Sequence, residues 1–133
     1  MKETRDIPVG TPIDLARKVV GLERATREAV LVEQRPGPPT RIEGYTVGAP
    51  HVTGDPVHGG EMHPDGDELL YVISGRIQVL LELDGGDRVV DVEAGQALAV
   101  PRGVWHNILR CESGQIVHIT PGPGGEARPR PSG

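Results

Sequence analysis

The sequence predicts a single all-β domain, a sandwich or barrel, preceded by one short helix. Three observations lead there. Apolar runs are short and are interrupted by Gly or Pro roughly every ten residues, with Gly 19 and Pro 13 in the chain, which is the punctuation of many short strands joined by turns. The runs favour β-branched and apolar residues, as in Ala29-Val30-Leu31-Val32, which suit a pleated, half-buried surface. The length of 133 residues suits one domain that buries about two-thirds of its unfolded surface.

The elements follow in order. Thr11-Pro12-Ile13-Asp14 reads as a helix start, with Thr11 as N-cap, Pro12 at the first helical position and Asp14 at the favourable dipole end. Leu15, Val19 and Val20 form its apolar side and Gly21 its stop. Residues 26–34 predict a strand, 35–40 a Pro-rich loop and 41–47 a second strand. Residues 48–60, which hold His51 and His58 among turn residues, read as loop. Glu68 to Ile73 and Arg76 to Leu83 form the strongest strand pair, separated by Ser74-Gly75. The first of them is apolar on both faces, so it needs cover beyond its own core, from the helix or from another subunit. Asp84-Gly85-Gly86-Asp87 is a hairpin turn. Strands are expected at 88–92, 96–100, 104–110 and 115–120, with a turn at Glu112-Ser113-Gly114. The stretch from 122 to 133, rich in Pro and Gly, reads as a flexible tail. About nine or ten short strands and one helix make a jelly-roll β-barrel the natural architecture.

Bulk properties exclude several function classes. A formal net charge of -5 and an aromatic content of 2% argue against nucleic-acid binding, which wants a basic patch and stacking rings. A sugar platform of stacked aromatics is weakened by the same scarcity, with Tyr45, Tyr71 and Trp105 alone available. One cysteine, Cys111, forms no intrachain disulfide and fits a reducing compartment. No long apolar run and no signal-peptide core are present, so a soluble cytoplasmic protein without membrane partners is expected.

The densest group of metal-ligating residue types is the stretch from Gly60 to Gly75. Glu61 and His63 leave one face of an extended strand. Pro64-Asp65-Gly66-Asp67 supplies turn chemistry, and folding back there returns Glu68 toward His63. A second stretch, Gly95 to Arg110, is punctuated by Pro101-Arg102-Gly103 before His106. Together the two resemble the paired motifs of the cupin superfamily. The first motif has a His-x-His pair, a Glu and a Gly, matched here by Glu61-x-His63, Glu68 and Gly75. The second has a Gly, a Pro-x-Gly and a His, matched by Gly95, Pro101, Gly103 and His106. Glu61 stands where the first His is usual, and Arg110 where an Asn is common. The resemblance covers residues 40–121 and implies a jelly-roll barrel there, with the helix and strand of 1–39 packed on it.

The resemblance also implies a mononuclear metal site of Glu61, His63, Glu68 and His106. Imidazole with carboxylate suits Zn, Fe, Mn, Co or Ni, and Glu for His at 61 adds negative charge and hardness, favouring Mn, Fe or Zn. The alternative for Glu61 is a side chain turned to solvent. His58 reads as a loop histidine that stands ready to replace the missing ligand. His118 reads either as a satisfied structural histidine or as a proton carrier facing the interior. Arg110, four residues after His106, reads either as a guanidinium clamp for a substrate carboxylate or as a rim ion pair. Trp105 alternates with His106 and faces away from the metal; Cys111 has nothing nearby to activate it.

The function expected is a metal-dependent enzyme acting on a small oxygen-bearing molecule, a carboxylate among the candidates, of dioxygenase, isomerase, lyase or cyclase type. The alternative is a non-catalytic cupin that binds a metal or small molecule. A homodimer is expected from the two-faced apolar strand and the habit of the superfamily.

Overall fold

The computed structural model describes residues 6–54 and 58–129, and among them it contains ten strands and no helix. The strands are β1 (Val19–Glu23), β2 (Ala29–Val32), β3 (Gly44–Gly48), β4 (His51–Gly54), β5 (Gly60–Met62), β6 (Glu68–Leu81), β7 (Arg88–Glu93), β8 (Ala97–Val100), β9 (His106–Gly122) and β10 (Glu126–Arg128). All pairings are antiparallel and join one sheet. No helix among the described residues is long and apolar enough to cross a membrane.

β9 is the spine. Along one edge it pairs with β6 from His106 to Ile119. Along the other it pairs in turn with β5 at His106, with β4 at Cys111 to Gln115 and with β3 at His118 to Gly122. β6 carries β8 and β7 on its free side.

The β6–β9 ribbon does not run flat. Glu68 lies beside the pairing of Leu69 with Ile119, and His106 pairs with Leu81 at the far end. Laid flat, positions 68 and 81 would be about 40 Å apart at a rise of roughly 3.3 Å per residue. Yet the side chains of Glu68 and His106 touch at 2.9 Å, so the ribbon curls until its ends meet. Register shifts between Val72 and Arg76 and between Gln78 and Val79 mark the bulges that bend it and raise its twist.

Each bulge also switches which side chains face inward. On β6 the buried positions are Glu68, Leu70 and Val72, and then Ile77, Val79 and Leu81. Gly75 sits at the switch with φ 79°, and a Cβ there would come within 2.7 Å of the Glu112 carbonyl. The Ser74-Gly75 step, read from sequence as a turn between two strands, is therefore a bulge within one strand. Glu112-Ser113-Gly114 likewise lies inside β9 rather than turning the chain.

The core is the inner face of this ribbon with its neighbours: Leu70, Val72, Ile77, Val79, Leu81, Val92, Val100 and Ile116 form one buried cluster. On the outer face Leu69, Tyr71 and Ile73 are about two-fifths exposed.

Three further expectations are corrected. Residues 11–21 form no helix: a turn closes with the Lys18 amide donating to the Asp14 carbonyl, and Val19 and Val20 then enter β1 between β2 and β3. Sheet pairing of a β-branched pair outweighs the local capping signal, and Gly21 is needed because a Cβ would meet Ile42 at 2.5 Å. Residues 51–54, expected as loop, form β4 along β9. Residues 126–128, expected in a flexible tail, pair with β5 as β10; positions 130–133 of that tail lie outside the described residues.

Candidate metal centre

The turn after β5 carries His63 inward. Asp65 and Asp67 fix that turn by accepting bonds from the Gly124 amide and from the Arg102 amide at 2.8 Å. The Gly103 amide donates to the His63 carbonyl at 2.9 Å, and Gly103 itself has φ 77°, a conformation that favours glycine. The Pro101-x-Gly103 step is thus bonded directly to the segment bearing His63. Glu68 opens β6, His106 opens β9, and Glu61 on β5 is the cross-strand partner of His106.

These placements bring four of the sequence-predicted residues together. One ligand atom from each of Glu61, His63, Glu68 and His106 lies within 4.8 Å of every other. His63, Glu68 and His106 are buried, and the Glu61 side chain is 19% exposed, so it points to the cluster and not to solvent. The rings of His63 and His106 have centroids 5.3 Å apart.

Hydrogen bonds set the orientation of three of the four. The His106 Nδ1–H donates to the Val104 carbonyl at 3.2 Å, leaving Nε2 2.9 Å from Glu68 Oε1. At that distance a proton or a cation bridges the nitrogen and the carboxylate oxygen. The other oxygen of Glu68 accepts from the Thr120 hydroxyl at 2.7 Å. The Gly60 amide donates to His58 Nδ1 at 3.0 Å, which leaves the proton on Nε2, 3.0 Å from Glu61 Oε1. His58, read from sequence as a loop histidine, is therefore the orienting partner of Glu61. That role depends on a tautomer set by a backbone amide, which spacing alone does not reveal.

His63 is different. Its Nε2 lies 3.4 Å from an oxygen of Glu61 and from one of Glu68, yet both ring nitrogens are buried without a hydrogen bond among the described residues. Buried polar atoms are nearly always satisfied, so this ring is shaped for a partner that protein atoms do not supply. Burial alone would lower its pKa, but the two carboxylates outweigh burial and push it up to about 9. Burial likewise works to raise Glu68, and the imidazoles of His106, at hydrogen-bond distance, and of His63, at 3.4 Å, overcome it and hold the carboxyl well below the usual range. Glu61 is also lowered against its burial, chiefly by His63. Two ionised carboxylates facing two imidazoles is a donor set that can hold one divalent cation.

A cavity of about 530 Å³ opens beside the cluster, lined among others by Glu61, Glu68, His106, His58, Arg41 and His118. His118 is among the residues that line it. The Thr120 hydroxyl gives its proton to Glu68, so His118 Nδ1–H donates to Thr120 at 3.1 Å and Nε2 is left as an acceptor. Burial, with Arg41 nearby, lowers the pKa of His118. Cys111 also lines the cavity, and burial pushes its thiol up, the opposite of activation.

Arg110 is not brought to the site. It is exposed and pairs with Gln78, while Ile108 pairs with Val79, so Leu109 is an extra residue that turns Arg110 to the outer face. Four-residue spacing implies a shared face only on an unbulged strand. The cavity's guanidinium is instead that of Arg41, in the segment before β3, which no motif singles out. Trp105 faces away from the cluster as expected, with the Arg128 guanidinium 3.8 Å above its ring.

A family model described as Cupin domain matches residues 51–122. No curated protein matches the sequence. Among solved structures, a variant of oxalate decarboxylase from Bacillus subtilis aligns with a TM-score of 0.54 and 20% identity over 62% of this chain and 23% of that chain. Another structure of that protein, from work on its Mn(II) centres, aligns with a TM-score of 0.51 and 20% identity over 59% of this chain and 21% of that one. HppE with Co(II) and substrate aligns more loosely, with a TM-score of 0.47 and 16% identity over 57% and 44% of the two chains. At these identities the likeness is one of fold, and this chain spans about a fifth of the oxalate decarboxylase chains it matches.

Proposed function

The chain belongs to the Cupin domain family, and from that premise we propose that it is a mononuclear metal-dependent enzyme acting on a small oxygen-bearing molecule. The observation that carries this reading is the buried, unbonded His63 ring facing two ionised carboxylates and His106. Glu61, His63, Glu68 and His106 would hold the ion, with Mn, Fe or Zn favoured by the two carboxylates and Ni or Co also compatible. Mn(II) centres are described for the oxalate decarboxylase that shares the fold. The jelly-roll description of residues 40–121, with the N-terminal segment packed on it, belongs to the same proposal.

A bound divalent ion supplies a Lewis acid that polarises a carbonyl or hydroxyl oxygen or acidifies water. The protein's own residues do the rest. Thr120 and Val104 hold Glu68 and His106 in fixed orientations, and His58 holds Glu61. His118 lines the cavity with a neutral ring whose Nε2 lies against Gly48, and it is the group that would take a proton from a substrate carbon or hydroxyl there. Its Nδ1 is connected through Thr120 to Glu68, so a charge gained on the ring is felt at the cluster. Dioxygenase, isomerase, lyase and cyclase chemistry all use such parts.

The test is metal analysis of protein purified without a chelating tag, beside His63→Ala and His106→Ala. Near-stoichiometric metal lost in both variants is expected; sub-stoichiometric metal unaltered by either ends the proposal. The second reading, a cupin that binds without turnover, is favoured by the cavity alone, and recovery of a tight ligand chemically unchanged after incubation would select it. Homodimerisation through the exposed outer residues Leu69, Tyr71 and Ile73 belongs to this proposal as well, and sedimentation showing a monomer at micromolar concentration would contradict it.

A further inference from the structure

Arg41 is the single Lys or Arg among the described residues that line the cavity. It is half-buried, and among the described residues no carboxylate pairs with it. Its one hydrogen bond goes from Nη1 to the Thr46 hydroxyl at 3.1 Å. A guanidinium offers five donors in a planar fork, so most of its bonding capacity is open. Thr46 in turn reaches the Thr120 carbonyl at 3.4 Å, and the Thr120 hydroxyl bonds Glu68. The unpaired cation is thus two threonines away from the candidate metal centre, on the wall of the same cavity.

Charge decides what such an arrangement accepts. A divalent ion held by ionised Glu61 and Glu68 is neutral overall, as the two histidines add no charge when they ligate. The Arg41 charge then remains uncompensated in a cavity whose apolar wall is Val19, Val52, Leu70, Ile108 and Ile116, beside polar lining that includes Gln34, Thr53 and Asn107. A half-buried cation without a counter-charge is partly stripped of water, and one negative charge on a ligand neutralises it. A dianion such as a phosphate ester would overshoot beside two carboxylates. From this, and resting on the metal reading above for its charge balance, we propose that Arg41 anchors the carboxylate of a monoanionic acid whose compact apolar body fills the cavity, with its reactive oxygen turned toward the metal cluster. The volume of about 530 Å³ falls within the range of small-molecule sites, about 300–1,000 Å³.

The experiment is calorimetric titration of the Mn- or Zn-loaded protein, and of the chelated protein, with benzoate, phenylacetate and cyclohexanecarboxylate. Each is compared with its own primary amide, and phenyl phosphate serves as the dianion. The acids should bind at least tenfold more tightly than their amides and than phenyl phosphate. Arg41→Gln should abolish that preference, while Arg41→Lys, which keeps the charge and loses the fork, should retain part of it. The acid-against-amide comparison in the parent protein needs no variant, so a poorly folding substitution does not spoil the test. Amides binding as well as acids, phenyl phosphate binding more tightly than the acids, no measurable binding of any acid, or a preference that survives Arg41→Gln would each overturn the anchor. The two ideas fail separately. Stoichiometric metal without an Arg41-dependent preference leaves the metal centre and removes the anchor. The same preference in protein that takes up no metal leaves the anchor and removes the metal centre.

Discussion

On the inner face of β6, Leu70, Val72, Ile77, Val79 and Leu81 are buried among other apolar side chains, while Glu68, two residues before Leu70 on that face, is buried among His63, His106 and Thr120. One strand thus enters two kinds of interior. The apolar part is complete in itself, since burying Val72 and Val79 fully removes their surface from water and leaves nothing unsatisfied. The polar part is incomplete: its carboxylates stay ionised and, among the described residues, its His63 ring has no hydrogen-bond partner, only two carboxylate oxygens at 3.4 Å. Neighbouring positions with equal burial therefore differ in what they are for, and that difference is open to experiment.

The largest effect expected on the polar side is loss of the ion. His106→Ala should reduce metal affinity on the order of a hundredfold or more, read as metal per folded protein by mass spectrometry. Chelating the parent at an ion concentration near a hundred times Kd should remove about 2.7 kcal/mol of stability. Retention of a full equivalent of metal by His106→Ala would erase the distinction between the two interiors. On the apolar side, Ile77→Ala should cost about 2–5 kcal/mol, with metal content per folded molecule unchanged. A variant that loses both together would show the two parts to be one cooperative unit.

Proton competition sharpens the comparison further. His63 titrates near 9 against an ordinary 6.5, so in the chelated protein its ring is protonated at neutral pH. An ion must displace that proton, and apparent affinity should rise up to about tenfold per pH unit between 7 and 9 and level off above. Calorimetry in buffers of different ionisation enthalpy should find about one proton released per ion at pH 7; none released would place His63 outside the ligand set. The sign for stability is opposite in the chelated protein. A raised pKa contributes stability that is fully present below 6.5 and is lost as pH rises through 9, so chelated protein should weaken over that window. The smallest effect belongs to the orienting ring: His58→Ala should lower metal affinity about 10–100-fold without altering metal-free stability by more than about 1 kcal/mol. An unchanged affinity would show that Glu61 needs no support.

Much of this was legible in residue order, and the reasons are physical. The convergence of Glu61, His63 and Glu68 follows from strand parity and from local turn chemistry at Pro64-Asp65-Gly66-Asp67, while His106 joins them through the resemblance of its Pro101-Arg102-Gly103 stretch to the second cupin motif. The inward side of Leu70 and Val72 follows from alternation. What stayed hidden depends on contacts distant in sequence. The same Ser-Gly signature serves a turn or a bulge, and only the passage of β9 at Glu112 decides for Gly75. Leu109 reverses the face of Arg110 because of its register against β6. The capping residues at Thr11 to Asp14 lose to strand neighbours that local sequence does not contain. Arg41 precedes its strand with no pattern at all, and its meaning comes from the cavity it lines.

β10 has a consequence for the whole arrangement. β5 is three residues long and touches β9 through one residue pair, whereas β10 meets all three of its positions, including Ala127 opposite Glu61. Arg128 clasps the same corner, bonding Glu82 at 2.6 Å and lying over Trp105. Stopping translation ahead of residue 126 would leave His63, Glu68 and His106 on their own supports and set Glu61 adrift. A late stop codon would then act as a tuning change, reducing the proposed four-donor metal site to three donors.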